Sequence, residues 1–334
     1  MRAVVLVGGF GTRLRPLTLT SPKQMLPLGH RPMIEWVVGH LADHGVDEAI
    51  LSLGYRPDAF IEAFPDEMCN GVRIRYAVEP EPLDTAGAIR FAAREAGIDD
   101  TFVVVNGDVL TDLDLGALVR FHRDSGAEAT IHLTPVEDPS VFGVVPTDEN
   151  GRVIAFIEKP PRDEAPTNRI NAGTYVFEPS VLDRIPGDRR VSIEREIFPA
   201  MADEGRLYAM ATDDYWLDTG TPQQFLKANL DLLGERPRHR VEGVARTASV
   251  DPSATVERSI VSDRCAIGAD ARVQDSVLMT GTQIGANARV TRSILGARVV
   301  VGPDAVLDDV VIGDGWEIDA GAVLTSVRLP EPEA

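Results

Sequence analysis

Cysteine is almost missing from this sequence of 334 residues: Cys69 and Cys265 stand far apart and form no CxxC pair. That spacing encodes neither a disulfide framework nor a cysteine zinc site, so two buried thiols are expected. No run of eighteen apolar residues occurs, which argues against a membrane-spanning helix. The opening MRAVVLVGGFG turns to glycine too soon for a signal peptide, so a cytoplasmic protein is expected. Histidine is absent beyond His239, and lysine supplies only three of the 33 basic residues, at Lys23, Lys159 and Lys227. Positive charge is itself outnumbered: 52 acidic residues leave a net charge of −19. A broad surface for nucleic acid or anionic membrane is therefore not expected. An acidic chain that handles an anionic substrate must hold it with a few local cations and backbone amides. The surroundings of each scarce lysine thus carry information.

What is present describes a soluble globular chain, 44% apolar and 25% charged, long enough for about two domains. Up to residue 233, strands expected at 3–7, 49–53, 73–78 and 101–105 alternate with helical spacing at 32–44, 58–64 and 85–96. Such alternation predicts an α/β domain with a mostly parallel sheet covered by helices. FGVVP and VIAFIE flank TDENGR as a hairpin, and a strand follows at 170–177. Thr221 caps a helix that opens with Pro222. A linker is expected at 234–247 and a tail at 329–334.

Between them, at 248–328, the sequence repeats. Val250, Ile267, Ile284, Val301 and Ile318 are each 17 residues apart. Val256, Val273, Val290 and Leu307 keep the same step, as do Val261, Leu278, Leu295 and Ile312. Three aliphatic columns at one period predict a parallel β-helix of about five coils. Its look is that of the left-handed helices built from hexapeptide repeats. An α-helical alternative fails on the glycines, β-branched residues, Pro252 and Pro303.

Two short motifs carry charge. Gly8-Gly9-Phe10-Gly11-Thr12-Arg13 follows the first strand, where glycine lets backbone amides curl round phosphate oxygens and arginine adds a fork of donors. It matches neither GxGxxG nor a P-loop. Ser21-Pro22-Lys23-Gln24-Met25-Leu26-Pro27 then holds a rare lysine between two prolines. The pair GGFGTRLRPLT and SPK resembles the sugar-1-phosphate nucleotidyltransferases, the NDP-sugar pyrophosphorylases. The rest of the pattern arrives in order: Leu83-Asp84-Thr85-Ala86-Gly87, Asn106-Gly107-Asp108, Gly143, Glu158-Lys159-Pro160, Ile170-Asn171-Ala172-Gly173 and Trp216-Leu217-Asp218-Thr219-Gly220.

The resemblance implies a Rossmann-like catalytic domain over residues 1–233, followed by the left-handed β-helix. It implies attack of a sugar 1-phosphate on the α-phosphorus of a nucleoside triphosphate, with pyrophosphate leaving. Mg²⁺ would be held by Asp108 and Asp218. Arg13 would neutralise pyrophosphate, Lys23 the triphosphate and Lys159 the sugar phosphate, making these three the catalytic cations. Gly8, Gly9, Gly11, Thr12, Gly87 and Asn106 would complete the nucleotide site. Gly143, Glu158, Asn171 and Gly173 would complete the sugar-phosphate site.

Within the family, the sequence most resembles the mannose-1-phosphate guanylyltransferases, which implies GTP and mannose 1-phosphate. Two departures keep alternatives open. Lys23-Gln24-Met25-Leu26-Pro27 is closer to glucose-1-phosphate thymidylyltransferases, and Asp84 stands where glycine is usual. The alternatives are thymidylyl, uridylyl or adenylyl transfer to glucose 1-phosphate, or guanylyl transfer to another sugar or cyclitol phosphate. A silent regulatory subunit should have lost a loop arginine, a lysine or a metal aspartate, and all are present. A hexapeptide-helix acyltransferase needs a histidine in the coils, and none is there. The flat sides of the coils are expected to pack on the catalytic domain or on a second copy of the chain, and a homo-oligomer is expected. Arg258, Arg272, Arg289, Arg292 and Arg298 could pair with Asp275, Asp308 and Asp309 across such contacts.

Overall fold

A computed structural model describes residues 1–54, 57–234 and 239–331. Linker residues 235–238 and tail residues 332–334 lie outside the described residues. Contacts gather into two compact units that cut across sequence order: Met1–Gly9 with Val37–Trp216, and Phe10–Trp36 with Leu217–Ala334. The signature segment after Gly9 therefore belongs with the carboxyl-terminal half of the chain. Among the described residues no helix is long and apolar enough to cross a membrane, and both cysteines are buried thiols.

The first unit is built on a ten-stranded sheet. Its strands in chain order are β1 Arg2–Leu6, β2 Glu48–Leu53, β3 Met68–Cys69, β4 Val72–Val78, β5 Phe102–Asn106, β6 Ala129–Pro135, β7 Gly143–Val144, β8 Ile157–Glu158, β9 Arg169–Phe177 and β10 Leu207–Ala211. They lie in the order β8-β7-β9-β5-β1-β2-β4-β3, with β6 bonded to β9 and β10. The centre, β5-β1-β2-β4, is parallel, and β9 runs antiparallel to β5. Ala3, Val4 and Val5 are fully buried, as an unbroken apolar run requires when helices cover both faces. Tyr175 stacks on Phe177 at 5.6 Å and meets Phe198 edge-on at 5.1 Å, anchoring the core beside β9.

The expected strands and helices of this unit appear within a residue or two of their bounds. The expected hairpin forms. Gly143 pairs with Glu158 and Val144 with Ile157, and nearer the turn Thr147 bridges Val153 while the Asp148 amide donates to the Arg152 carbonyl at 2.9 Å. Val153 also donates to the Leu207 carbonyl of β10 at 2.9 Å, tying the hairpin to that strand.

His132, at the centre of β6, is fully buried and bonds Thr212 Oγ1 at 2.9 Å. Burial pushes its imidazole down from 6.5 to about 4, and the charges of His40 and Arg169 act in the same direction. The unfolded chain binds this proton more readily, so folded-state stability is full above the ordinary value of 6.5 and falls as pH drops towards 4. The loss attributable to His132 is about 3 kcal/mol. Urea unfolding at pH 7 and pH 4.5 should show a steeper acid loss in the native chain than in His132→Gln. Equal losses would remove His132 as the cause.

The second unit contains the β-helix: three parallel sheets of five strands each, in left-handed coils. Strands pair in register at the 17-residue step, for instance Val256 with Val273 and Val290 with Leu307. The aliphatic columns fill the interior, joined by Ala271, Ala288 and Ala305. Serine hydroxyls climb the stack: Ser259 accepts from the Ser276 amide, Ser276 from Ser293 and Ser293 from Val310, each at 3.1 Å. The charged corners differ from expectation. Arg258 meets Asp275 at 2.7 Å and Arg292 meets Asp308 at 2.6 Å within one stack, so these pairs join successive coils of the same chain.

Candidate functional site

In the second unit the signature segment folds into two single turns. Thr12–Leu14 forms one, and Lys23–Met25, entered from Pro22, forms the other. Thr18 Oγ1 donates to the Gly11 carbonyl at 2.8 Å, while Leu14 and Leu17 are buried. This packing brings Lys23 inward, its side chain only 8% exposed, with Nζ 3.7 Å from Asp218 Oδ1. A buried ammonium needs a countercharge, and the strand Trp216–Asp218 supplies one at its end.

Gly220 closes the arrangement. A β-carbon there would come within 2.7 Å of Arg13 Nη2 and 2.9 Å of Asp218 Oδ1. Bare backbone at Gly220 leaves room for guanidinium and carboxylate to approach the same stretch of chain. Arg13 and Asp218, 205 residues apart in sequence, flank Gly220, and Lys23 joins them through Asp218. Two cations beside a carboxylate suit a polyphosphate and its counterion.

In the first unit, Gly8 and Gly9 continue from β1, whose Leu6 lies opposite Asn106 of β5. Gly107 donates to the Leu6 carbonyl at 2.8 Å, so Asp108 leaves the sheet directly beyond the end of β1. Ligands of parallel α/β sheets gather at these carboxyl ends. Gly173, at φ 75° in a bulge of β9, backs onto the Asn106 amide. Asn171 donates to the Tyr175 hydroxyl at 2.9 Å and accepts from the Gly173 amide at 3.0 Å. It keeps one N–H and one lone pair for a ligand. Burial pushes the Tyr175 phenol well above its usual range, so it stays protonated and braces this bulge.

Glu158 and Lys159 end β8. Lys159 Nζ is 3.4 Å from Glu158 Oε1 and its side chain is 57% exposed. The Lys159 amide donates to the Phe142 carbonyl at 3.0 Å. Trp216 packs edge-on to Phe142 and donates to the Ala172 carbonyl at 2.9 Å, tying this corner to the β9 bulge. Gly87 lies in the helix Asp84–Glu95, whose first turn is fixed by Thr85 Oγ1 donating to Glu194 at 2.7 Å.

Sequence reasoning missed Glu79 and Ser52. Glu79 follows β4 and accepts from Ser52 Oγ at 3.1 Å and from the Leu83 amide at 3.0 Å. Its Oε1 lies 3.8 Å from where a β-carbon on Gly8 would stand. The signal was an acid directly after a strand and four residues before the Leu83 turn. Among the described residues no group of three or more His, Cys, Asp or Glu is placed to hold a metal ion. Magnesium bound through one or two carboxylates and substrate phosphates needs no such cage.

Residues 2–235 match the nucleotidyl transferase family and residues 242–331 the GMPPB C-terminal domain. The chain is 43% identical over 294 residues to the mannose-1-phosphate guanylyltransferase of Mycobacterium tuberculosis, covering 85% of this chain and 81% of that one. It is 38% identical to the mannose-1-phosphate guanyltransferase of Schizosaccharomyces pombe, over 85% and 86% of the two chains. Among solved structures, HddC from Yersinia pseudotuberculosis superposes with a TM-score of 0.60 at 30% identity, covering 68% of this chain and 97% of that one. The same protein complexed with GMP-PN gives 0.59. The β1 glycines, the Arg13–Lys23–Asp218 cluster and the matched relatives agree: the chain belongs to the nucleotidyl transferase family.

Proposed function

We propose that the protein joins mannose 1-phosphate to GTP, releasing pyrophosphate and forming GDP-mannose. The observation that carries the transfer chemistry is the gathering of Arg13 and Lys23 about Asp218, Arg13 beside it at Gly220 and Lys23 3.7 Å from its carboxylate. The relatives' names support the substrates, as does the complex of a structural neighbour with GMP-PN. Glu79 supports guanine: a carboxylate beside the β1 glycines matches a base edge that carries two adjacent N–H donors.

An oxygen of the sugar phosphate attacks the α-phosphorus, and the bond to the oxygen bridging the α and β phosphorus atoms breaks. Both reactants are anions, so the protein lowers the barrier by alignment and charge neutralisation. Lys23 meets charge near the α-phosphorus, and Arg13 meets the departing pyrophosphate. The Gly8, Gly9, Gly11 and Thr12 backbone cradles phosphate oxygens, with Gly87 and Asn106 against the nucleoside. Lys159 holds the incoming sugar phosphate, and Gly143, Glu158, Asn171 and Gly173 form the sugar side. The hard oxygen donors of Asp108 and Asp218 fit Mg²⁺, which when bound offsets phosphate charge.

Substrate choice is tested by pyrophosphate release from GTP, dTTP, UTP and ATP, each paired with mannose and glucose 1-phosphates. GTP with mannose 1-phosphate should exceed every other pair by ~10-fold or more in kcat/KM. A preference for dTTP with glucose 1-phosphate would replace the assignment. For the sugar side, Lys159→Ala should raise the KM for sugar phosphate by ~10-fold and change kcat much less. A fall in kcat with an unchanged KM would move Lys159 away from ground-state binding.

A further inference from the structure

The fifth coil of the β-helix touches the signature segment inside the second unit. Arg328 Nη1 donates to the Arg13 carbonyl at 3.3 Å. Thr20 Oγ1 donates to Asp314 Oδ2 at 2.7 Å. Asp314 is itself set by the coil below, its Oδ1 accepting from the Ala297 amide at 2.8 Å. Between these bonds Pro16 packs over Gly313, where an added β-carbon would come within 3.2 Å of the proline ring. Three contacts thus span residues 13 to 20, the stretch that joins Arg13 to the turn carrying Lys23. Grouping by contacts agrees independently, placing Phe10–Trp36 with the coils rather than with the sheet.

We infer that Arg328 and Asp314 are positioning residues for nucleotide binding: the last coil holds the signature segment so that Arg13 and Lys23 are preset for a triphosphate. The contacts reach the segment's backbone and the Thr20 hydroxyl rather than the cationic heads. A segment held at both ends loses less freedom when the nucleotide arrives, so the benefit appears as affinity for that substrate. The effect should be confined to it, because the contacts fall on residues 13–20 and none of them on the residues assigned to the sugar phosphate.

This inference rests on the nucleotidyl-transfer reading, and binding measurements separate the two. In the full-length chain, Thr20→Val with Arg328→Ala should raise the Kd for Mg–GTP by about 3- to 10-fold, measured calorimetrically without sugar phosphate. The KM for GTP should rise in parallel, while the KM for mannose 1-phosphate and the melting temperature stay close to native. Arg328→Lys should recover most of the loss, since one donor suffices for a carbonyl. Glu317→Ala, an exposed change on the same coil, should do nothing. Thr20→Val alone, which removes one hydroxyl, reads the same contact should the double variant fold poorly. An unchanged Kd for Mg–GTP in a variant that melts like the native chain overturns the inference, as does an equal rise for both substrates. A native chain that binds Mg–GTP yet releases no pyrophosphate would instead count against the proposed reaction.

Discussion

Asp218→Ala is expected to lower turnover by ~10²-fold or more at saturating substrates and magnesium. The carboxylate stands 3.7 Å from the Lys23 ammonium, which is almost fully enclosed. Its loss removes a proposed magnesium ligand and also the charge that faces that ammonium. Asp218→Asn tests the charge at constant volume, since it exchanges one acceptor oxygen for an uncharged amide donor. If charge is what matters, Asn should be nearly as slow as Ala while melting like the native chain. Asp108→Ala should fall by a similar factor for its own share of the metal. Near-normal turnover in either alanine variant would refute the assignment of that aspartate.

The second large effect belongs to Lys23. Lys23→Ala should cost ~10²- to 10³-fold in kcat/KM for the nucleotide, the range for removing one preset donor from a developing charge. Its setting explains the size: a side chain 8% exposed is aimed by its surroundings, and water reproduces neither its position nor its charge. Lys23→Arg should rescue poorly. The Lys23 side chain is almost fully enclosed, and a longer planar guanidinium does not reproduce the position of a compact ammonium. Measured beside Lys159→Ala, the variant should show the opposite partition, with turnover and nucleotide use damaged and sugar-phosphate KM little changed. Identical defects in both variants would end the assignment of the two lysines to different substrates.

The β-helix was legible because one physical rule repeats. A coil of 17 residues puts an aliphatic side chain inward at three fixed phases, and Val256 must stack on Val273 wherever the chain goes. The parallel strands were legible for a similar reason, since residues 3–5 of β1 and 102–105 of β5 are apolar and buried on both faces. β6 is equally buried, but His132 and two threonines, Thr130 and Thr134, interrupt its run. Their polar atoms are satisfied only by distant partners such as Thr212, so no local pattern marks the strand.

The charged site residues were legible by type and by family resemblance. Their grouping was not. Nothing local in LDTG says that Arg13 comes to lie against Gly220, because that partner is 207 positions away. The pairing of Arg258 with Asp275 is open to the sequence, since the two lie one coil apart, and it occupies charges that could otherwise pair with the catalytic domain or a second copy. Glu79 was passed over because its partners, Ser52 and the Leu83 amide, become neighbours only when the strands align.

The bonds from Thr20 to Asp314 and from Arg13 to Arg328 close loops of 294 and 315 residues, nearly the length of the chain. On the ribosome, all of Met1–Gly9 and Val37–Trp216 has emerged before the first coil is made, so the sheet can form early. The segment after Gly9 must wait for the fifth coil, and loops this long close late and slowly. A nascent chain that has not yet made the fifth coil would therefore carry a finished sheet and an untethered signature segment. If that coil presets the segment as proposed, nucleotide affinity is acquired late in synthesis, after the sheet is already in place.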